Sequence, residues 1–224
     1  MPIITVSRMY GSGGSELAAI VAARLGWLLL DNALVEEVAA RLGTTPAEVE
    51  AREERVSSLA ERLARALMFG SPETTTALPE ALMQPTEEQI LQVTKLVIEE
   101  TVSRGPVVLV GRGAQCALAQ RSDALHVFCY APLPALVERA RQRLGVSSEE
   151  AQRAVEQTNR DRVHYVRKHW HREWLDHANY HLCVNTGWLG VDGAAETVLH
   201  AARTMFGWTE PGGREPGARS QEPE

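Results

Sequence analysis

Apolar residues along this chain follow two alternating rhythms. Short continuous runs mark strands covered on both faces, and longer stretches with apolar positions three and four apart mark amphipathic helices. Ile3–Ser7 is the first such strand. Ser15–Leu25 follows as a helix with Leu17, Ile20, Val21 and Leu25 on one face, stopped by Gly26. Trp27–Leu30 reads as a second strand ending at Asp31-Asn32, and Ala33–Arg41 as a second helix closed by Leu42-Gly43. Further strands are expected at Pro106–Gly111, Ala124–Tyr130 and Tyr180–Asn185. Helices are expected at Gln115–Gln120, from Pro132 through Leu144, over the charged stretch Ser147–Trp170, and over Val191–Phe206 with Gly207 as cap. Strands alternating with helices predict an α/β fold, a parallel sheet with helices on both sides.

Residues 44–105 break that alternation. Thr45 and Pro46 supply a cap and a first-turn proline for a helix expected to reach about Phe69. Gly70–Pro85 reads as a loop, and Thr86–Arg104 as a helix whose broad apolar face carries Ile90, Val93, Leu96, Val97 and Ile98. This block is expected to be a helical lobe inserted between the second and third strands, with an apolar face that would suit a homodimer. The Gly/Pro/Glu/Arg-rich tail, 209–224, is expected to be disordered. Residues 1–208 then form a single domain.

Composition narrows the classes of function. A chain of 224 residues with 44% hydrophobic content can bury one good core. Lys+Arg of 23 against Asp+Glu of 29 gives a net charge of −6, which argues against a general nucleic-acid binder, so any basic site is local. Cys116, Cys129 and Cys183 are widely spaced and odd in number, which reads as reduced, buried thiols rather than disulfides or a zinc site. No apolar run approaches the roughly 20 residues of a membrane helix, and no secretion signal pattern opens the chain. The expected setting is cytoplasmic, with no membrane partner.

The most informative chemistry lies where the first strand meets the first helix. Gly11, Ser12, Gly13, Gly14 and Ser15 form a glycine-rich turn that aims backbone N–H groups and a helix N-terminus at one point, which suits a phosphate. Laid on G-x-x-x-x-G-K-[ST], the first glycine falls on Arg8, the second on Gly13, the lysine on Gly14 and the hydroxyl on Ser15. Two of the four signature positions match. The turn is a P-loop in architecture without its lysine.

Ile4–Gly14, Leu25–Asp31, Val110-Gly-Arg-Gly-Ala114, His126–Pro132 and Leu182–Thr186 together resemble the cytidylate kinase-like proteins, in order and spacing, over nearly the whole chain from residue 2 to about 205. The resemblance implies a P-loop kinase fold: three layers, a five-stranded parallel sheet, a helical acceptor-side insert at about 44–105 and a lid at about 145–178. It implies phosphoryl transfer from ATP, with Mg²⁺, to a nucleotide or similar small acceptor. Such catalysis rests on positioning and on neutralising phosphate charge. Gly11–Ser15 would hold the donor phosphates, with the Ser15 hydroxyl on Mg²⁺. Arg8 would supply the cation that the absent lysine leaves out. Arg112, in the Gly-Arg pair, would hold the acceptor phosphate through its two-pronged guanidinium. Arg160, Arg162 and Arg167, with Lys168, would be lid cations; Arg160 and Arg167, seven apart, share a helix face. One of Arg139 and Arg141 is expected to act as well.

Simpler roles stand beside these. Asp31 either orients an acceptor hydroxyl or merely caps the next helix. The arginines of 160–167 could be surface charge, and His164, His169 and His171 lack the carboxylate that a metal site would add. Where cytidylate kinases carry a Tyr-Arg pair, this chain has Glu36-Glu37, which argues against CMP as the acceptor unless both face solvent. Two further functions remain open: a nucleotide-binding regulator that has lost turnover, and an interaction protein that docks a partner through its insert.

Overall fold

β1 (Ile3–Arg8) runs through the middle of a parallel sheet, between β3 (Val107–Val110) and β4 (Ala124–Tyr130). β2 (Leu28–Leu30) flanks β3 and β5 (Leu182–Asn185) flanks β4, giving the order β2-β3-β1-β4-β5. The register pairs Ile3 with both Val107 and Ala124, and Arg8 with Cys129. The described residues of this computed structural model are 1–49 and 85–207. The five strands and the layered α/β architecture agree with the pattern in the sequence. The expected helix beyond residue 49, the loop up to residue 84 and the tail lie outside the described residues; of the apolar positions named on 86–104, Ile90, Val97 and Ile98 are buried within the fold and Leu96 is exposed.

The side-chain period of two divides β1 between two faces. Ile4 and Val6 face α1 (Gly14–Leu25) and α7 (Thr186–Phe206), where Leu17, Val21, Val198 and Leu199 are fully buried. On the other face, α2 (Asn32–Leu42) and α3 (Glu87–Arg104) pack Leu34, Val38, Ile90 and Ile98 against Ile3, Val107 and Leu109. Thr86 begins α3 with a capping box to Gln89, and Thr45 begins the helical turn at 46–49 with the same device to Glu48. α4 (Ala114–Ala117) is shorter than its sequence predicts. β5 starts two residues later than expected, and α7 begins at Thr186 with a kink at Gly190.

α5 (Leu133–Leu144) and α6 (Ser148–Trp170) form an antiparallel hairpin. Its two parts do different things. Val155 and Ala151 of α6 pack with Leu136 and Val137 of α5, and with Met9 and Tyr10 at the start of the glycine loop. Farther along α6, Val163, Val166 and Trp170 lie with Phe128, Trp174 and Tyr180 over the sheet itself. The segment expected as a lid is therefore, in its second half, a packed layer. Cys129 is buried and Cys116 half-buried, but Cys183 on the edge strand is exposed, against the expectation of buried thiols.

Candidate active site

Both parts of the site lie at the carboxyl ends of β1, β2 and β3, where the strand order turns back on itself and open α/β sheets bind ligands. The first part is the glycine loop. Gly11 and Gly13 adopt the left-handed backbone, φ 82° and 75°, which glycine takes without steric cost. A side chain at Gly11 would strike the Leu136 backbone, and one at Gly13 would lie 2.7 Å from Arg139 Nη2 and Val191 Cγ2. Ser12 is fully buried; its N–H (3.1 Å) and its hydroxyl (2.8 Å) both donate to Met9 O. The Thr186 hydroxyl ties the β5–α7 turn to Ser12 O at 2.7 Å. The loop is thus fixed from three sides, while Gly14, Ser15 and Glu16 open α1 with N–H groups that have no carbonyl one turn earlier in the helix.

The second part is a cavity of about 230 Å³ between the strand ends and α6. Arg8, Arg112 and Arg162 line it, with Asp31, Asp161, Thr158, Gln115 and Tyr165. Arg8 Nη2 lies 3.2 Å from Asp31 Oδ1. Asp31 stands at the N-cap position of α2 but makes no capping bond with its side chain; its carboxylate faces Arg8 instead. Arg112 sits in a left-handed backbone (φ 53°) between Gly111 and Gly113, which are left-handed too. A residue with a Cβ held there costs on the order of 1 kcal/mol, and such strain persists where surrounding structure enforces it.

Three guanidinium groups around one cavity perturb each other. Burial pushes the Arg162 pKa down to about 9, and the nearby Arg8 and Arg112 charges add to the fall while Asp31 opposes it. Arg8 is lowered as well, first by burial and then by Arg112, against the pull of Asp31. An anion among them would relieve both effects.

Of the three lid arginines expected from sequence, only Arg162 reaches this cavity. It also donates to the Arg8 carbonyl. Arg160 pairs with Gln157 and Glu156, and Arg167 clasps Glu173 at 2.6 Å, so both lie on the far side of α6. Lys168 is bonded to Glu87 at the start of α3. Arg139 and Arg141 separate as clearly: Arg139 reaches Glu16 at 2.7 Å beside Gly13, whereas Arg141 pairs with Glu138 on its own helix. Glu36 and Glu37 are exposed, and Glu37 bonds Arg41 at 2.8 Å, so neither carboxylate faces the cavity.

Sequence reading missed Thr158, Asp161 and Tyr165, which stand with Arg162 at spacings of three and four on the cavity side of α6. It also missed Asn159, whose side-chain oxygen accepts the Tyr10 N–H at 2.9 Å and fastens the hairpin to the loop. The signal was present as a polar stripe at helical spacing, but polar residues fill most of α6 between its few apolar positions, so nothing in sequence set one stripe apart.

The Ser15 hydroxyl stands on the first turn of α1 beside the loop. Mg²⁺ takes most of its ligands from water and phosphate, so one hydroxyl in that place fits what the ion requires of the protein. Among the described residues, no group of three His, Cys, Asp or Glu side chains is placed to hold a metal ion, and no helix is long and apolar enough to cross a membrane.

A parallel sheet in this order, with a glycine loop leading from its central strand into a helix, defines the P-loop kinase class of folds. The profile of the cytidylate kinase-like family matches residues 3–187, and the chain belongs to that family. Among solved structures it is similar to an uncharacterized protein from Eubacterium ventriosum ATCC 27560, at 18% identity and a TM-score of 0.67, covering 91% of this chain and 99% of that one. It is also similar to shikimate kinase from Acinetobacter baumannii in complex with shikimate, at 16% identity and a TM-score of 0.50, covering 91% and 94%. At these identities the likeness concerns the fold. No curated protein matches the chain.

Proposed function

We propose that the protein transfers a phosphoryl group from ATP to a small anionic acceptor seated in the arginine cavity. One observation carries this reading. The stem of Arg8 lies against Gly14 in the glycine loop, and its guanidinium lies in the cavity with Asp31, Arg112 and Arg162. A single side chain therefore joins the place suited to donor phosphates to the place suited to an acceptor.

In this reading the loop amides and the start of α1 bind the donor phosphates, and Arg139 adds a charge at the rim. The Ser15 hydroxyl would hold Mg²⁺, which would supply neutralisation of phosphate charge. Arg112 and Arg162 grip the acceptor anion, and Asp31 orients its attacking oxygen. The bond from the γ-phosphorus to the β–γ bridging oxygen breaks as the acceptor oxygen bonds to phosphorus, and ADP leaves; a phosphate acceptor brings no proton to that oxygen, and a hydroxyl acceptor passes its proton to the Asp31 carboxylate. Arg160 and Arg167 take no part. With Glu36 and Glu37 turned to solvent, the repulsion that argued against CMP is removed, and CMP stays among the acceptors to be tried. The free cysteines suit a reducing compartment, and the reading assigns the reaction to the cytoplasm.

The test incubates the protein with labelled ATP, Mg²⁺ and a panel of nucleoside monophosphates and small hydroxy acids. Transfer to one of them is the expected result, and Arg112→Ala should then lower kcat/KM on the order of 100-fold, as loss of a charged hydrogen bond to phosphate does. Nucleotide binding without transfer to any acceptor would favour a second reading, a nucleotide-binding regulator, which the missing lysine at Gly14 motivates.

A further inference from the structure

Positions 8 and 14 both depart from the P-loop pattern, and the structure ties the two departures together. Gly14 differs from Gly11 and Gly13 in one respect: its backbone is not left-handed, so conformation does not require glycine there. Space does. A Cβ built on Gly14 would collide with Arg8 Cβ and come within 3.0 Å of Arg8 Cγ, with Cys129 Cβ next at 3.2 Å. The pattern's own residues would avoid this, because a glycine at position 8 leaves room for a lysine at position 14. Here the large cation stands on the strand end and the glycine on the helix start.

The Arg8 guanidinium is held as well as its stem. Nη2 faces Asp31, and Nη1 lies so close to Gly111 that a side chain on that residue would meet it. Its side chain is 21% exposed. An arginine kept this close to two like charges while largely out of water is poorly placed for stability alone and well placed for an anion.

We infer that the two departures are one compensated exchange: Gly14 lacks a side chain because Arg8 fills its space, and Arg8 carries the positive charge that the loop presents to the donor. The steric half stands on geometry alone. The charge half rests on the proposed function, since it takes the loop to bind nucleotide phosphates.

A mutant cycle tests the steric half by thermal unfolding. Gly14→Ala should lower Tm by roughly 5 °C in the natural background, as overpacking does. In an Arg8→Gly background the same change should leave Tm within about 1 °C, because the colliding stem is gone. An equal fall in both backgrounds would overturn the exchange. The charge half is read by titrating the full chain with Mg²⁺ and the β,γ-imido analogue of ATP. Arg8→Met should weaken binding about tenfold or more, and Arg8→Lys should stay within roughly threefold of the natural protein. The double variant Arg8→Gly/Gly14→Lys should recover what Arg8→Gly alone loses. If Arg8→Met binds the analogue as tightly as the natural protein, the charge half is wrong. Should the unaltered protein not bind the analogue at all, the proposed function fails and takes the charge half with it, while the Tm cycle still decides the steric half.

Discussion

The two faces of the sheet solve different problems with the same strand. Toward α1 and α7, β1 shows Ile4 and Val6 to a buried apolar lining of Leu17, Val21, Val198 and Leu199. Toward α6 it shows Thr5 and Ser7, both buried, beside His126 and Gln115. Thr5 Oγ1 lies 2.8 Å from His126 Nδ1, and the His126 ring stacks on His181 at 4.9 Å. Ser7 and Gln115 then line the arginine cavity. One face is built for burial. The other is apolar where Ile3, Val107 and Leu109 pack on α2 and α3, and also accepts buried polar groups, which fold less favourably unless satisfied, in order to carry a polar site at its upper end.

Changes on the apolar face should strike stability and spare chemistry. Leu199→Ala removes a fully buried side chain and should cost about 2–5 kcal/mol in chemical denaturation, while kcat of the remaining folded protein is unchanged. A matching fall in kcat would erase the division between faces. On the polar side Arg112→Gly should do the reverse. Activity should drop on the order of 100-fold, yet Tm should stay within a few degrees, because glycine relieves the left-handed backbone that Arg112 holds. A fall in Tm of more than a few degrees would show that Arg112 is a structural residue.

His126 gives a smaller effect with a definite sign. Burial, reinforced by His181, pushes its pKa down to about 4, below the ordinary 6.5. Between those values the unfolded chain binds the proton and the folded chain does not. Its contribution is therefore complete above about pH 6.5 and is lost as pH falls toward 4, by about 2 kcal/mol at pH 5. Denaturation curves of the natural protein and His126→Gln at pH 7 and pH 5 should differ in slope against pH accordingly; parallel behaviour would mean that His126 is protonated in the fold. Smallest of all is Glu37→Gln. Its exposed bond to Arg41 should shift Tm by about a degree at most and leave acceptor KM unaltered. A change in KM would bring that carboxylate back to the site.

Much of this arrangement was legible in the sequence because local rules govern it. Apolar runs set the five strands, Gly26, Gly43 and Gly207 ended helices where expected, and the glycine loop lay where β1 meets α1. The site was legible in part. Arg8 ends β1, Asp31 and Arg112 follow the ends of β2 and β3, and topology alone brings strand ends together. Arg162 could not be told from Arg160 and Arg167, because side chains two and five apart on a helix rich in polar residues differ only in which way the helix is turned. That rotation is set by Val155, Val163 and Val166, whose apolar spacing is sparse. Nor could sequence show that Gly14 answers to Arg8, since the contact joins a strand to the helix that follows it through a turn of nonlocal shape.

The most direct measurement is a crystal structure of the protein with Mg²⁺ and the β,γ-imido analogue of ATP. The account predicts the terminal phosphates against the amides at the start of α1, with the Arg8 guanidinium in hydrogen-bonding contact with a terminal phosphate oxygen. A nucleotide bound away from the glycine loop, or one seated there with Arg8 still turned to Asp31 and touching no phosphate, would contradict it.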